Sequence, residues 1–278
     1  MIELPETYVL AEQINETIVG KTIANVTANA SPHAFAWYSG NPEDYQQKLS
    51  GKPVTKATPG TGYTCGGNTE ILCGDMLLLL STPIRYHGMG DKLPKKHQLL
   101  IEFDDQTYLS CTVQMWGAML CFPADEEGWP AGFTVKKSPT PMEDGFDMPY
   151  FMALAQGKED LSAKAFLATE QRIPGLGNGV LQDILFRAGI HPRTRLKNIE
   201  PDGLETLYHS VRETLLMMAT GGGRDTEKDL YGCNGGYQTI LSRKTVGKPC
   251  GVCGSSIIRE AYLGGNIYYC PQCQPYIK

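Results

Sequence analysis

Four cysteines near the C-terminus carry the most specific chemistry in the chain. Cys250-Gly-Val-Cys253 and Cys270-Pro-Gln-Cys273 are separated by sixteen residues. Two Cys-x-x-Cys knuckles at this distance suit tetrahedral thiolate coordination of one Zn2+ ion, and a pair of redox dithiols is the competing reading. Four thiolates fill the coordination shell, so the zinc this predicts is structural and not catalytic. Between the knuckles, residues 257–269 alternate apolar and polar side chains around Gly264-Gly265, a β-hairpin pattern. So small a module cannot bury enough apolar area alone, and the metal would supply its folding energy.

A second pattern, Ile173-Pro-Gly-Leu-Gly-Asn178, precedes a segment of helical periodicity at 179–188 that closes on Gly189-Ile-His-Pro192. Glycines ahead of a helix let backbone amides approach an anion, and Asn178 can add a side-chain donor. The same spacing also makes a plain corner between helices. A third pattern is Glu3 and Glu6, in the first turn of a helix expected at 4–17 with Val9, Leu10 and Ile14 on one face. Paired carboxylates suit acid–base work, and equally suit the helix dipole.

The elements that must position these residues fall into two halves. Short apolar or alternating runs at 23–28, 70–72, 76–80, 98–103, 108–113 and 118–122 predict strands. From about 147 apolar residues recur at helical spacing, with Asp202 as a cap for the last helix and Gly221-Gly222-Gly223 as its end. The expected fold is α+β. A two-layer β-sandwich with an N-terminal helix occupies 1–130, a linker 131–146, a helical domain 147–231 and the zinc finger 232–278. The 278 residues carry a net charge of −5. That balance alone argues against a nucleic-acid partner, but the charge is divided. Residues 1–162 hold 11 Lys+Arg and 20 Asp+Glu (11 − 20 = −9), and 163–278 hold 14 and 10 (14 − 10 = +4). Such a division suits an anion-binding surface in the second half. Cys65, Cys73, Cys111, Cys121 and Cys233 stand singly and are expected as small core residues of a reduced protein. No apolar stretch approaches the roughly 20 residues of a membrane helix, and the acidic N-terminus is unlike a secretion signal. A cytoplasmic monomer without membrane contact is expected.

Lys164 through Asn178, continued by Leu185-Phe-Arg-Ala-Gly-Ile-His-Pro192, resembles the helix–two-turn–helix motif of the formamidopyrimidine-DNA glycosylase and endonuclease VIII family. The four-cysteine finger ending at Cys273-Gln274 is similar to that family's C-terminal zinc finger. Glu3-Leu-Pro-Glu6 resembles its opening motif, and residues 97–122 resemble its last sandwich strands. The resemblance implies base-excision repair: a DNA glycosylase and abasic-site lyase that flips a lesion from duplex DNA. It implies that an N-terminal amine attacks the sugar C1′ as nucleophile, Glu3 acts in acid–base transfer and Glu6 contacts the opened sugar. It also implies that Lys164 and Asn178 hold phosphates.

Three positions depart from the pattern. Ile2 stands where the family has its nucleophilic proline, so the attacking amine would belong to Met1 or, after processing, Ile2. Retention of Met1 moves that amine by roughly 3.8 Å, and an error of about 1 Å can cost on the order of 100-fold in rate. Gly62 falls near the family's alternative lysine, and Gly265, beside Asn266, at its finger arginine. Gln114-Met115-Trp116 replaces the Arg-Arg-Phe group that fills the gap left by a flipped base. Gln114 can bond a base edge and Trp116 can wedge into a stack. Two functions follow: a repair enzyme with a substituted amine, or a binding protein for damaged DNA or structured RNA on the same scaffold. A third reading has the acidic sandwich docking a basic partner. Arg172, Arg187, Arg193, Arg195 and Lys197 are expected beside the corner. Gly221–Gly236 falls where the family has a flexible loop over the extruded base.

Overall fold

Apolar side chains that alternate along the first half turn one face of each short run toward a shared interior. The computed structural model describes residues 2–60, 67–125 and 138–277. In chain order these residues form α1 (Leu4–Thr17), β1 (Ile23–Ala28), β2 (Ala36–Tyr38), α2 (Tyr45–Leu49), β3 (Val54–Gly60), β4 (Asn68–Cys73), β5 (Met76–Leu80), β6 (Ile84–His87), β7 (Leu99–Phe103), β8 (Tyr108–Cys111) and β9 (Gly117–Pro123). The second half follows with α3 (Met148–Ala155), α4 (Ala163–Ala168), α5 (Leu181–Arg187), α6 (Pro201–Thr220), β10 (Ile258–Tyr262) and β11 (Gly265–Tyr269). Met1, Gly62, Cys65, Glu126 and Glu127 lie outside the described residues.

Two sheets make the sandwich. One is antiparallel in the order β1-β7-β8-β6, and the other runs β2-β9-β5-β4-β3 with β2 parallel to β9 at its edge. Ile23, Ile101 and Leu109 from the first sheet meet Ile71, Leu78 and Met119 from the second. The elements α2, β2, β3 and β6 add to the runs read from sequence. Of these, α2, β2 and β6 are five, three and four residues long, too short to show a period, and the seven residues of β3 end in Pro59-Gly60, which read as a turn.

A second core gathers Phe146, Phe151, Phe166, Leu181, Ile184, Val211 and Leu215 from the helices. The cap of α6 is Glu200, not Asp202. Pro201 takes the first helical position, where its fixed φ is suited, and this pushes Asp202 into the first turn. The helix α1 joins the two cores: Ile2, Leu10, Ala11 and Ile14 pack into the sandwich, while Leu4 packs among the helices.

Residues 224–237 form a strap, not a free loop. Leu230 is buried in the sandwich core, and the Tyr86 amide donates to its carbonyl at 2.8 Å. The Leu230 amide donates to Gln13 Oε1 (2.9 Å), whose Nε2 donates to Asp229 (3.1 Å). Tyr231 packs edge-on against Tyr86, and Tyr237 donates to Asp183 at 3.1 Å. Asp183, buried on α5, also accepts the Ile240 and Leu241 amides. Cys73, Cys111 and Cys121 are buried as expected, but Cys233 is exposed. It sits in the tight turn of the strap, where its amide donates to Asp229 Oδ1 and its side chain faces solvent. Among the described residues, no helix is long and apolar enough to cross a membrane.

Candidate nucleic-acid interface and carboxylate cluster

Glu3 lies between Ile2 and Leu4, residues committed to opposite cores, so its side chain is fixed at the seam. Its two oxygens accept the amides of Gly179 and Val180, both at 2.8 Å. These are the free amides ahead of α5, which a carboxylate satisfies. Glu6, one turn along α1, meets Arg224 in a bidentate pair: Nε to Oε1 at 2.8 Å and Nη2 to Oε2 at 2.7 Å. The third guanidinium nitrogen, Nη1, is 3.3 Å from Glu3 Oε2. Arg224 is 2% exposed, and Glu3 and Glu6 are also buried. Burial acts to lower the Arg224 pKa, but the Glu3 and Glu6 carboxylates outweigh it and raise it, so the group stays charged. Glu227, three residues along the strap from Arg224, is pushed up by burial, an effect Arg224 opposes and Glu6 reinforces.

Arg224 occupies space that only glycine leaves open. A Cβ on Gly179 would stand 1.8 Å from Arg224 Nη1 and 3.0 Å from Glu3 Oε1. The guanidinium is bolted to two carboxylates and cannot swing aside. Gly179→Ala is therefore expected to destabilise by about 1–3 kcal/mol, the usual range for overpacking. Thermal melting checks this; a melting shift below about 1 °C would show that the cluster yields.

The corner and the hairpin meet on the same side. Lys164 is 3% exposed and donates to the Tyr262 carbonyl at 2.6 Å. It has no ion pair among the described residues, and burial lowers its pKa. Asn178 Nδ2 donates to the Asn266 carbonyl at 3.1 Å, and Asn178 Oδ1 is buried without a partner. Gln182, absent from the sequence reading, docks the hairpin: it accepts the Tyr268 amide at 2.9 Å and donates to the Asn178 carbonyl at 2.8 Å. At Gly265 a Cβ would come 3.4 Å from Lys164 Nζ, so the turn backbone lies directly against the ammonium.

The four cysteine sulfurs lie within 4.8 Å of one another, with Cys250–Cys273 at 3.8 Å and Cys253–Cys270 at 3.3 Å. Thiolates at about 2.3 Å from a tetrahedral zinc stand roughly 3.8 Å apart, so this donor set fits the ion. In the hairpin between them, Leu263 and Gly264 both have positive φ (47° and 70°), as a two-residue turn of the I′ kind requires.

A cleft runs from the corner to the sandwich. One hollow of about 350 Å³ holds Asn178, Gln114 and Arg224 on its walls, and an adjoining one of about 360 Å³ holds Ile2, Glu6, Gln114 and Glu227. Gln114 thus faces the cleft. Trp116 does not line either hollow; it packs on Trp37 with ring centroids 5.6 Å apart, on the outer side of β9. Much of the basic set beside the corner is engaged within the protein. Arg172 is buried on the Phe166 carbonyl, Arg193 pairs with Glu260 at 3.0 Å, and Arg195 and Lys197 share Asp160.

No protein-family model matches the chain. It is 28% identical over its full length to formamidopyrimidine-DNA glycosylase of Lactobacillus johnsonii, also covered in full. It is 26% identical to that of Enterococcus faecalis, over 99% of this chain and 97% of the relative. The chain is thus similar along its whole length to the formamidopyrimidine-DNA glycosylases. The family fold covers the whole molecule. The MutM protein of Thermus thermophilus superposes with a TM-score of 0.79 at 19% identity, over 99% of this chain and 100% of that one. Lactococcus lactis Fpg, solved with DNA containing an abasic site, gives 0.78 at 22%, over 98% and 99%. Within this family fold, the structure brings together Glu3, Glu6, Asn178, Lys164, Asn266 and Gln114, together with Arg224, which no spacing in the sequence announced.

Proposed function

We propose that this protein is a DNA-repair protein of the glycosylase and abasic-site lyase type, acting as a cytoplasmic monomer on damaged or abasic duplex DNA. Lys164 and Asn178 hold the strand's phosphates, the cleft takes the altered nucleotide, and one structural zinc at Cys250, Cys253, Cys270 and Cys273 holds the hairpin in place. The observation that carries the reading is the convergence of Ile2, Glu6 and Glu227 on one hollow beside the Asn178 corner. This reading assigns the attack to the N-terminal amine, at most one residue from Ile2, and the sugar to that hollow. A free α-amine titrates near pH ~8, so an appreciable fraction is unprotonated at neutral pH. Its attack on the C1′ aldehyde of an abasic sugar forms a C–N bond and releases water as the Schiff base forms. Glu227, which lines the same hollow and which burial makes hold its proton to higher pH than an ordinary glutamate, is the acid this reading assigns to the departing oxygen.

A second reading, a binder of damaged DNA or structured RNA without chemistry, is favoured by one feature. Glu3 and Glu6 are engaged by helix amides and Arg224, which makes them a structural clamp in their own right. Borohydride trapping on abasic-site DNA separates the two. The enzyme reading expects a covalent adduct that maps by mass spectrometry to the N-terminal peptide. An adduct on Lys228, the lysine lining the same hollow, would relocate the nucleophile. Absence of any adduct, together with salt-sensitive binding weakened by Lys164→Ala or Asn178→Ala, would leave the binder.

A further inference from the structure

Gln114 and Trp116 bring no charge to the gap-filling position, yet two arginines from elsewhere face the cleft. Arg85 stands at the exposed side of β6, and Arg243 in the turn ahead of the cysteine hairpin. Both line the hollow of about 360 Å³ that holds Glu6 and Glu227. Arg243 also lines the adjoining hollow with Asn178, so it stands between the corner and Arg85. Neither arginine has an ion pair or a side-chain hydrogen bond among the described residues, although the chain has 30 acidic residues to 25 basic ones. By contrast Arg172, Arg193, Arg195 and Arg224 all have carboxylate partners. Arg85 is nonetheless held in place. Its guanidinium lies against Gly232 of the strap, where a Cβ would fall 1.0 Å from Nη1, and Gly232 has a φ of +76°.

The other charged groups on the hollow are Glu6, Glu227, Lys228 and Asp229. Glu6 is already paired with Arg224, whereas the two guanidiniums have no partner among the described residues and present planar donors that match the oxygens of a phosphate. We propose that Arg85 and Arg243 form a phosphate clamp across the cleft, fixing the backbone of the nucleic-acid strand whose nucleotide enters it. The clamp rests on the nucleic-acid reading above and supplies from β6 and the hairpin approach the cations that the Gln114 segment lacks.

The test is equilibrium binding of the full zinc-loaded chain to a duplex carrying a tetrahydrofuran abasic analogue, across a salt series. Arg85→Gln and Arg243→Gln are each expected to weaken binding on the order of fivefold to tenfold at low salt and to lower the log–log salt slope by about one. The double variant should lower it by about two. Arg85→Lys and Arg243→Lys should keep most of the slope, and Lys56→Gln on β3 should keep all of it. Unchanged slopes in both glutamine variants, with Lys164→Ala still weakening binding, would overturn the clamp and leave the nucleic-acid reading intact. If the native chain binds neither duplex DNA nor structured RNA at low salt, that reading fails and takes the clamp with it.

Discussion

Arg224→Met is expected to lower the stability of the chain by about 3–5 kcal/mol, the range seen when one partner of a buried ion pair is removed. Methionine fills much of the same volume, so cavity formation is a minor part of the loss. The main part is electrostatic. Glu6 would lose its bidentate partner and Glu3 its guanidinium contact, leaving two buried carboxylates beside a third, Glu227. For a chain of this size the drop corresponds to roughly 10 °C in melting temperature. The double variant Arg224→Met with Glu6→Gln should recover a substantial part of the loss, because it removes one of the stranded charges. Arg224 also begins the strap, so amide exchange at Leu230 should speed up in the single variant more than in the sandwich strands. A melting temperature within about 1 °C of the native value would show that the cluster does not hold the seam together.

That cluster marks the boundary of what the sequence discloses. The cysteine knuckles are legible because zinc demands four thiolates in two close pairs, and local spacing carries that demand whatever the rest of the fold does. The corner is legible for a related reason: Lys164 and Asn178 sit in one continuous stretch whose glycines and prolines mark its turns. Arg224 has no such mark. Its bidentate partner, Glu6, lies 218 residues away on α1, and a single arginine after three glycines reads as a loop charge. Gln182 and Asp183 are similar cases, buried polar residues whose roles exist only once β11 and the strap lie against α5. Short elements such as α2 and β2 were hidden by their length. Trp116 shows the converse, since an aromatic at the right position in the chain packs on Trp37 instead of entering the cleft. Residues whose partners are near in sequence are readable; those that close the seam between two cores are not.

Removing the metal is expected to have the other large effect, and to leave most of the molecule standing. The apolar cluster around the cysteine hairpin contains four buried residues, Leu241, Cys250, Ile257 and Cys270, and two of these belong to the four-cysteine cluster itself. Such a core cannot offset the conformational entropy of ordering the segment. Structural zinc supplies about 10–16 kcal/mol in isolated finger peptides, so the hairpin depends on it. Chelation, or the double variant Cys250→Ser with Cys253→Ser, should therefore melt β10 and β11. The Lys164 bond to Tyr262 and the Asn178 bond to Asn266 would go with them. The helical core around Phe166, Leu181 and Leu215 contains no residue of the hairpin and should keep its far-UV circular dichroism. Nucleic-acid affinity should fall by at least tenfold, because Lys164 and Asn178 lose the hairpin backbone that orients them, and it should return when zinc is restored. One zinc per native chain by elemental analysis is the accompanying expectation. If the chain as isolated holds no zinc, or if the chelated protein keeps both its hairpin and its affinity, the cysteines are not the support on which this interface is built.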